Sequence, residues 1–261
     1  MRIASLGHAF FAFALIAAGV IGFVGLQYAA LWQPIPRAAP ALADVCAVIS
    51  LACGTGLLWQ RTAAASARVL LAWLLLWLLV VRVPQTLLQP ASGIWWSACQ
   101  IAALAAAAWV LYVWFASDWD RRRLGFAAGK GGLRIARVLC GVALIPWGLA
   151  HFIYPQNTVS LVPSWLPWHL FWADFTGVAF MAAGLALLTG VCSKLAAVLA
   201  TAEIGLFTLL VWVPIMARGH RTVFHWTETI VSVTLTAATW VVAESWRRQP
   251  SAAALEDRST S

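Results

Sequence analysis

Apolar residues gather in eight long runs, at about 8–32, 40–60, 66–88, 93–116, 135–155, 168–190, 195–216 and 222–244, separated by short breaks rich in Pro, Gly and Arg. Each run is close to the roughly 17 to 25 residues that carry a helix across a bilayer, so the pattern predicts eight transmembrane helices. The first run starts directly after Met1-Arg2, exceeds signal-peptide length and shows no small-residue cleavage pattern, so it is expected to be retained. In the last run His225, Glu228, Ser232, Thr236 and Thr239 recur at steps of three and four, which places them in one stripe along a helix face. A polar stripe must face protein or water rather than lipid.

Composition agrees: 62% of the residues are hydrophobic and 10% charged, beyond what a soluble core requires. Charge then orients the chain. With both termini and alternate loops on one side, thirteen of the 17 Lys and Arg residues fall together, leaving only Arg37, Arg82, Arg218 and Arg221 opposite. The positive-inside bias puts the richer side, and both termini, in the cytoplasm. The net charge of +8 is thereby a topology signal with some affinity for anionic lipid, and nucleic acid is not needed to explain it.

A shift of 130 residues lays Ala43-Asp44 on Ala173-Asp174, Gly54 on Gly184, Leu57-Leu58 on Leu187-Leu188, Val83-Pro84 on Val213-Pro214 and Trp96 on Trp226, without a gap from 43 to 108. Arg2-Ile3-Ala4 recurs as Arg134-Ile135-Ala136. Because each unit holds an even number of helices, the two are expected to be parallel repeats. The reading gives a first unit over 1–116, a basic, glycine-rich cytoplasmic linker over 117–133, a second unit over 134–245 and a disordered tail over 246–261. The linker's GKGG has neither the spacing nor the Ser/Thr of a phosphate-binding loop.

The second unit, with "GLAHFIYP", "LVPSWLP", "TGVAFMAAGLALLTG", "LLVWVP" and "HWTETIVSVTLTAATWVVA", resembles the four-helix DoxX family of bacterial membrane proteins. The first unit resembles a degenerate copy: it keeps "ACGTGLL", "LLVVRVP" and "AAAAWVLY" but has Gly22-Phe23 where the second has His151-Phe152. The resemblance implies an all-α integral membrane fold of two four-helix units. Some members of the family are associated with quinone-linked sulfur-compound oxidation or with membrane redox assemblies, but the fold does not by itself name a reaction.

Ionisable residues at membrane depth carry the chemistry, because they are costly there and usually face a bundle interior. Of nine acidic residues, Asp44, Asp174, Glu203 and Glu228 fall within apolar runs. Asp174 has a counterpart in Asp44, so it reads equally as a structural feature common to both units. Glu203, His151 and Glu228 align with Trp73, Gly22 and Ala98, and belong to the second unit alone. His151, Asp174, Glu203, His225 and Glu228 are therefore the candidate ligand or proton site. Thr236 and Thr239 also admit a plain structural reading, since hydroxyls on membrane helices bond backbone or neighbouring helices. His225 and Glu228 are a single i, i+3 pair and no metal set, and the histidines offer no axial pairing for haem. Five cysteines without a CxxC read as packing residues.

The connection "LVPSWLPWHLFW" holds Pro163 and Pro167, which break a helix, and Trp165, Trp168 and Trp172, which suit a water–lipid boundary. It is either an aromatic anchor or a lid over the candidate site. An apolar pocket with a few polar groups suits a flat, lipid-soluble ligand such as a quinone. With no electron-carrying cofactor motif of its own, the chain is expected to be a quinone-facing or anchoring subunit beside soluble or membrane redox partners, with a homo-oligomer also open. A small-solute or proton-coupled transporter using Asp174 and Glu203, and a membrane scaffold without catalysis, are the competing readings.

Overall fold

A computed structural model describes residues 3–24, 29–89, 95–219 and 222–247. These form helices joined by turns, with no strand among the described residues. In order they are α1 (Leu6–Val24), a short 3-10 turn (Ala30–Trp32), α2 (Leu42–Leu58), α3 (Ala63–Leu76), α4 (Val83–Leu88), α5 (Trp95–Phe115), α6 (Asp118–Arg123), α7 (Lys130–Ile153), α8 (Pro155–Val159), α9 (His169–Thr189), α10 (Ser193–Phe207), α11 (Val213–Ala217) and α12 (Val223–Glu244). Among the described residues, six helices are long and apolar enough to cross a membrane: α1, α3 with α4, α5, α7, α9, and α10 with α11. The protein is of the multi-pass membrane class. Each of the eight expected runs holds a helix. However, α2 has only 17 residues, and α12 is a largely buried helix interrupted by Ser, Thr and Glu.

The first run ends sooner than its apolar character suggests. Helix α1 is assigned to Val24, and Ala30, Leu31 and Trp32 form a fully buried 3-10 turn instead of a continuing helix. Residues 25–28 lie outside the described set. The stretch expected to be a plain linker also carries structure: α6 opens with a capping box in which Ser117 and Asp120 satisfy each other's backbone N–H groups. The start of the expected tail is docked, with the Arg137 guanidinium 3.9 Å from the Trp246 ring and bonded to the Ser245 hydroxyl and carbonyl; residues 248–261 lie outside the described set.

Neighbouring helices pack in the order α1, α2, α3, α5, α7, α9, α10, α12, and α12 returns to α1. The ring closes. Helices α5 and α12 also touch each other, so they form its middle, and their buried alanines (Ala102, Ala103, Ala105 to Ala108, Ala237 and Ala238) allow that approach. Glycines set the tightest contacts at the periphery. A Cβ on Gly19 would lie 2.7 Å from the Leu51 nitrogen and 2.9 Å from the Ala47 carbonyl, and one on Gly54 2.8 Å from the Ala12 carbonyl and 2.9 Å from the Ile16 nitrogen. The same set returns between α7 and α9: Gly148 abuts the Gly177 carbonyl and Met181, while Gly184 abuts the Gly141 carbonyl and Ile145.

A second feature occurs twice. The segments Trp77–Arg82 and Thr208–Trp212 are π-helical turns, each followed directly by Val-Pro. Proline has no N–H to donate, and its ring crowds the carbonyl four residues before it. Widening the preceding turn accommodates both effects without ending the helix.

At the α6 end, buried Asp120 joins α3, α5 and α6. It takes two hydrogen bonds from Arg68, at 3.0 and 2.8 Å, one from Tyr112 Oη at 3.2 Å and one from Ser117 Oγ at 2.6 Å. Burial alone would raise this carboxyl's pKa, but the bonds from Arg68 and Ser117 outweigh it and hold the group down at about 2. The stabilisation from that depression is therefore full above the ordinary carboxylate range and is lost as pH falls from about 4 through about 2. The Arg68 side chain is 43% exposed, so solvent weakens its share. We expect Asp120→Asn to lower the unfolding free energy at neutral pH by about 1–2 kcal/mol and to remove part of the acid-side decline in thermal stability, measured in detergent from pH 7 to pH 2.

Candidate functional site

The α7–α9 contact creates the site. Gly177 carries no side chain where its Cβ would lie 2.8 Å from His151 Cβ, so the start of α9 runs directly beneath the last turn of α7. This brings the Ala173 carbonyl to 2.8 Å from His151 Nδ1 and Thr176 Oγ1 to 3.1 Å. The imidazole stands edge-on to two rings, Phe180 on α9 and Phe207 on α10, with centroids at 5.8 and 6.3 Å. Those two phenylalanines are nearly parallel, at 12°. The geometry is one that the ring quadrupoles favour.

Beside this cluster lies an open cavity of about 210 Å³. Trp96, Trp147, Phe180, Phe207 and Trp212 make it aromatic; Gln100, His151, Asn157, Thr158, Glu228 and Ser232 supply polar groups. Two of these, His151 from α7 and Glu228 from α12, belong to the candidate set named from the sequence. Ser232 belongs to the polar stripe of α12 and meets Thr208 Oγ1 of the second π turn at 2.7 Å, with Thr236 Oγ1 at 3.3 Å from the same hydroxyl. Thr236 and Thr239 bond carbonyls of their own helix. The lower stripe thus has structural partners, and its upper part faces the cavity.

The remaining candidates stand apart from the cavity wall. Asp174 is half-buried on α9, next to the Ala173 whose carbonyl holds His151. Glu203 lies on α10 with Oε1 buried and without a partner among the described residues, one residue before Ile204 and one turn before Phe207, both of which line the cavity. His225 sits in the first turn of α12, its backbone N–H donating to the capping Thr222 hydroxyl and its ring edge-on to Phe224. Trp165 and Trp168 are 68% and 77% exposed. Trp172 packs on Phe171 and Phe175. None of these three tryptophans lines the cavity; the connection contributes its earlier residues Asn157, Thr158 and Leu161 instead. The reason is local: α8 follows α7 after one residue and folds this part of the chain inward, whereas Trp168 takes a left-handed conformation to start α9 and leaves its ring outside.

Three features were missed from the sequence. Trp96 and Gln100 come from α5, so the cavity is not built by the second unit alone. A lone glutamine in an alanine-rich run was the available signal. Arg82, counted as a loop charge, is fully buried. Its guanidinium donates to the Trp32 and Pro34 carbonyls and to Gln85 Oε1, and lies 5.7 Å from the Trp77 ring centroid. Trp32 in turn donates to Ser50 Oγ at 2.9 Å and stands edge-on to Trp77 at 5.6 Å. Asp44, placed at membrane depth by the apolar run, is exposed in the first turn of α2, where a carboxylate suits the helix dipole.

Among the described residues no group of three or more His, Cys, Asp or Glu is placed to hold a metal ion. Cys46, Cys53, Cys99 and Cys140 are buried and unpaired by disulfides, as packing residues are, while Cys192 is exposed. Comparison with protein-family models, with curated proteins and with solved structures finds no match to the chain.

What the arrangement can do follows from its walls: the aromatic faces favour a flat apolar ring, and the polar groups can orient one by hydrogen bonds. Leu161 is part of the lining. We expect Leu161→Trp to abolish binding of an aromatic probe, measured by calorimetry in nanodiscs, with helical content unchanged by circular dichroism.

Proposed function

We propose that the protein is a DoxX-like subunit of the bacterial inner membrane that binds the ring of a lipid-soluble quinone-class redox molecule in the cavity between α5, α7, α9, α10 and α12, as a quinone-facing or anchoring component of a larger redox assembly. One observation carries the proposal: an aromatic-walled cavity of about 210 Å³ into which His151 and Glu228 both face. That volume suits a single substituted ring, leaving an isoprenoid tail to the lipid. A ring with oxygens at its edge needs hydrogen-bonding groups at that edge and proton carriers nearby, which a His and a carboxyl supply. Electrons would come from or go to a partner subunit.

The reading includes eight spans in two parallel four-helix repeats with both termini cytoplasmic. It is supported by the paired glycine contacts, the paired π turns before Val-Pro, and a ring in which α1, α2, α3 and α5 meet one another as α7, α9, α10 and α12 do. In this reading the aromatic wall of the second repeat has a counterpart in the first: the 130-residue shift lays Phe207 on Trp77 and Trp212 on Arg82, and Trp77 stands edge-on to Trp32, which is 1% exposed.

Two measurements test this. Titration of a short-chain quinone into the protein in nanodiscs should show saturable binding that empty nanodiscs lack, and Phe180→Ala or Phe207→Ala should each weaken it by about 0.5–1.5 kcal/mol, the value of one aromatic contact. An absence of binding, together with protection of Asp174 and Glu203 from carboxyl modification by a transported cation, would turn the assignment to a transporter. Reporter fusions at Lys130 and Asn157 should report opposite faces of the membrane; the same face for both would end the topology.

A further inference from the structure

The hydrogen bonds behind His151 decide what its front can recognise. Nδ1 lies 2.8 Å from the Ala173 carbonyl oxygen, an atom that only accepts, so Nδ1 carries the hydrogen. Thr176 Oγ1, 3.1 Å from the same nitrogen, can donate its own proton to the Trp172 carbonyl at 2.9 Å or to that of Ala173 at 3.1 Å, and so offers Nδ1–H a second acceptor. In a neutral imidazole with hydrogen on Nδ1, Nε2 presents a lone pair. No partner for Nε2 occurs among the described residues, and His151 lines the cavity.

We propose that the cavity selects the donor-bearing form of its ring ligand, a phenol or hydroquinone whose O–H is accepted by His151 Nε2, over the carbonyl-bearing quinone. The inference rests on the ring-binding reading above and names the form that is recognised. A quinone oxygen has no hydrogen to offer a lone pair, so the two acceptors would face each other and each would lose its bond to water. The other polar groups leave this choice to His151. Gln100, Asn157 and Thr158 carry both a donor and an acceptor and can turn to suit either form, the Trp96 indole N–H, buried and without a partner among the described residues, can donate to the oxygen of either, and the Ser232 hydroxyl is already engaged with Thr208. Glu228 accepts only when ionised, making the same demand as His151, and when protonated carries both a donor and an acceptor and so suits either form. His151 cannot adapt, because turning its ring over would remove Nδ1–H from the Ala173 carbonyl. Ala173, Thr176 and Gly177 are thus positioning residues for the imidazole, and His151 is the group that touches the ligand.

The test compares three probes on the protein in nanodiscs, each corrected for partition into empty nanodiscs: para-propylphenol, its methyl ether para-propylanisole, and duroquinone. The phenol should bind about tenfold more tightly than the ether, the equivalent of roughly 1.4 kcal/mol for one hydrogen bond, and more tightly than the quinone. His151→Gln, which offers both a donor and an acceptor, should shrink the gap between phenol and quinone. Nitrogen NMR of labelled histidine, assigned by the loss of a signal in His151→Gln, should show hydrogen on Nδ1 and a bare Nε2. Equal affinities for phenol and ether, a preference for the quinone, or hydrogen on Nε2 would overturn the selectivity and leave ring binding standing. Failure of all three probes to bind would overturn the ring-binding reading and this inference with it.

Discussion

The close contact between α7 and α9 is what the site depends on. Two helices with ordinary side chains at their interface stand 8–10 Å apart, with those side chains filling the space between their backbones. Glycine on both sides removes that spacer. Gly148 lies against the Gly177 carbonyl, and Gly141 and Gly184 meet the carbonyls of each other's positions. The backbone of α9 can then deliver the Ala173 carbonyl to His151 Nδ1. From this contact follow the fixed ring, the edge-on packing against Phe180 and Phe207, and the wall of the cavity. Without a hydrophobic force between helices in lipid, such packing is a principal source of association.

A similar close contact joins α1 and α2. Gly19 and Gly54 bring those helices together, but Gly22 stands at the position aligned with His151 and carries no imidazole. A buried arginine completes the difference. Arg82 spends its donors on backbone carbonyls and a glutamine, with an aromatic face alongside, an arrangement that fixes the 3-10 turn in place. It also shows why counting charges by loop misplaces a residue: topology rules weigh positives near helix ends, and a guanidinium that finds carbonyl acceptors inside the bundle can lie at the same sequence position without being in water.

Polar residues along α12 illustrate how much of the candidate site was legible. Their three- and four-residue spacing put Glu228, Ser232, Thr236 and Thr239 on one face, and the structure turns that face inward, with Glu228 and Ser232 at the cavity and Thr236 at the Thr208 hydroxyl. Periodicity reads a face but not its partner. Glu203 and Asp174 have the same helical setting by sequence, yet neither lines the cavity, because a rotation of one residue about a helix moves a side chain by about 100°. The tryptophans of the connection failed for another reason. A prolonged run of Trp and Pro is compatible with facing lipid, water or a pocket, and the left-handed backbone of Trp168 at the start of α9 chose the outside.

Hydropathy alone determined that this is an all-helical membrane protein and where its helices run, because the cost of bare backbone polar groups in hydrocarbon leaves a long apolar segment only that option. Residue identities marked the 130-residue correspondence, and the cost of ionisable groups at membrane depth pointed to His151, Asp174, Glu203, His225 and Glu228, of which His151 and Glu228 line the cavity. Tertiary structure decided the rest. Only the packing of α5 against α7 brought Trp96 and Gln100 into the cavity, only the inward fold at α8 placed Leu161 beside it, and only the glycine contact set the Ala173 carbonyl against His151 Nδ1. Each of these depends on distances between helices far apart in the chain, which side-chain volume at the crossing points sets and local sequence pattern does not encode.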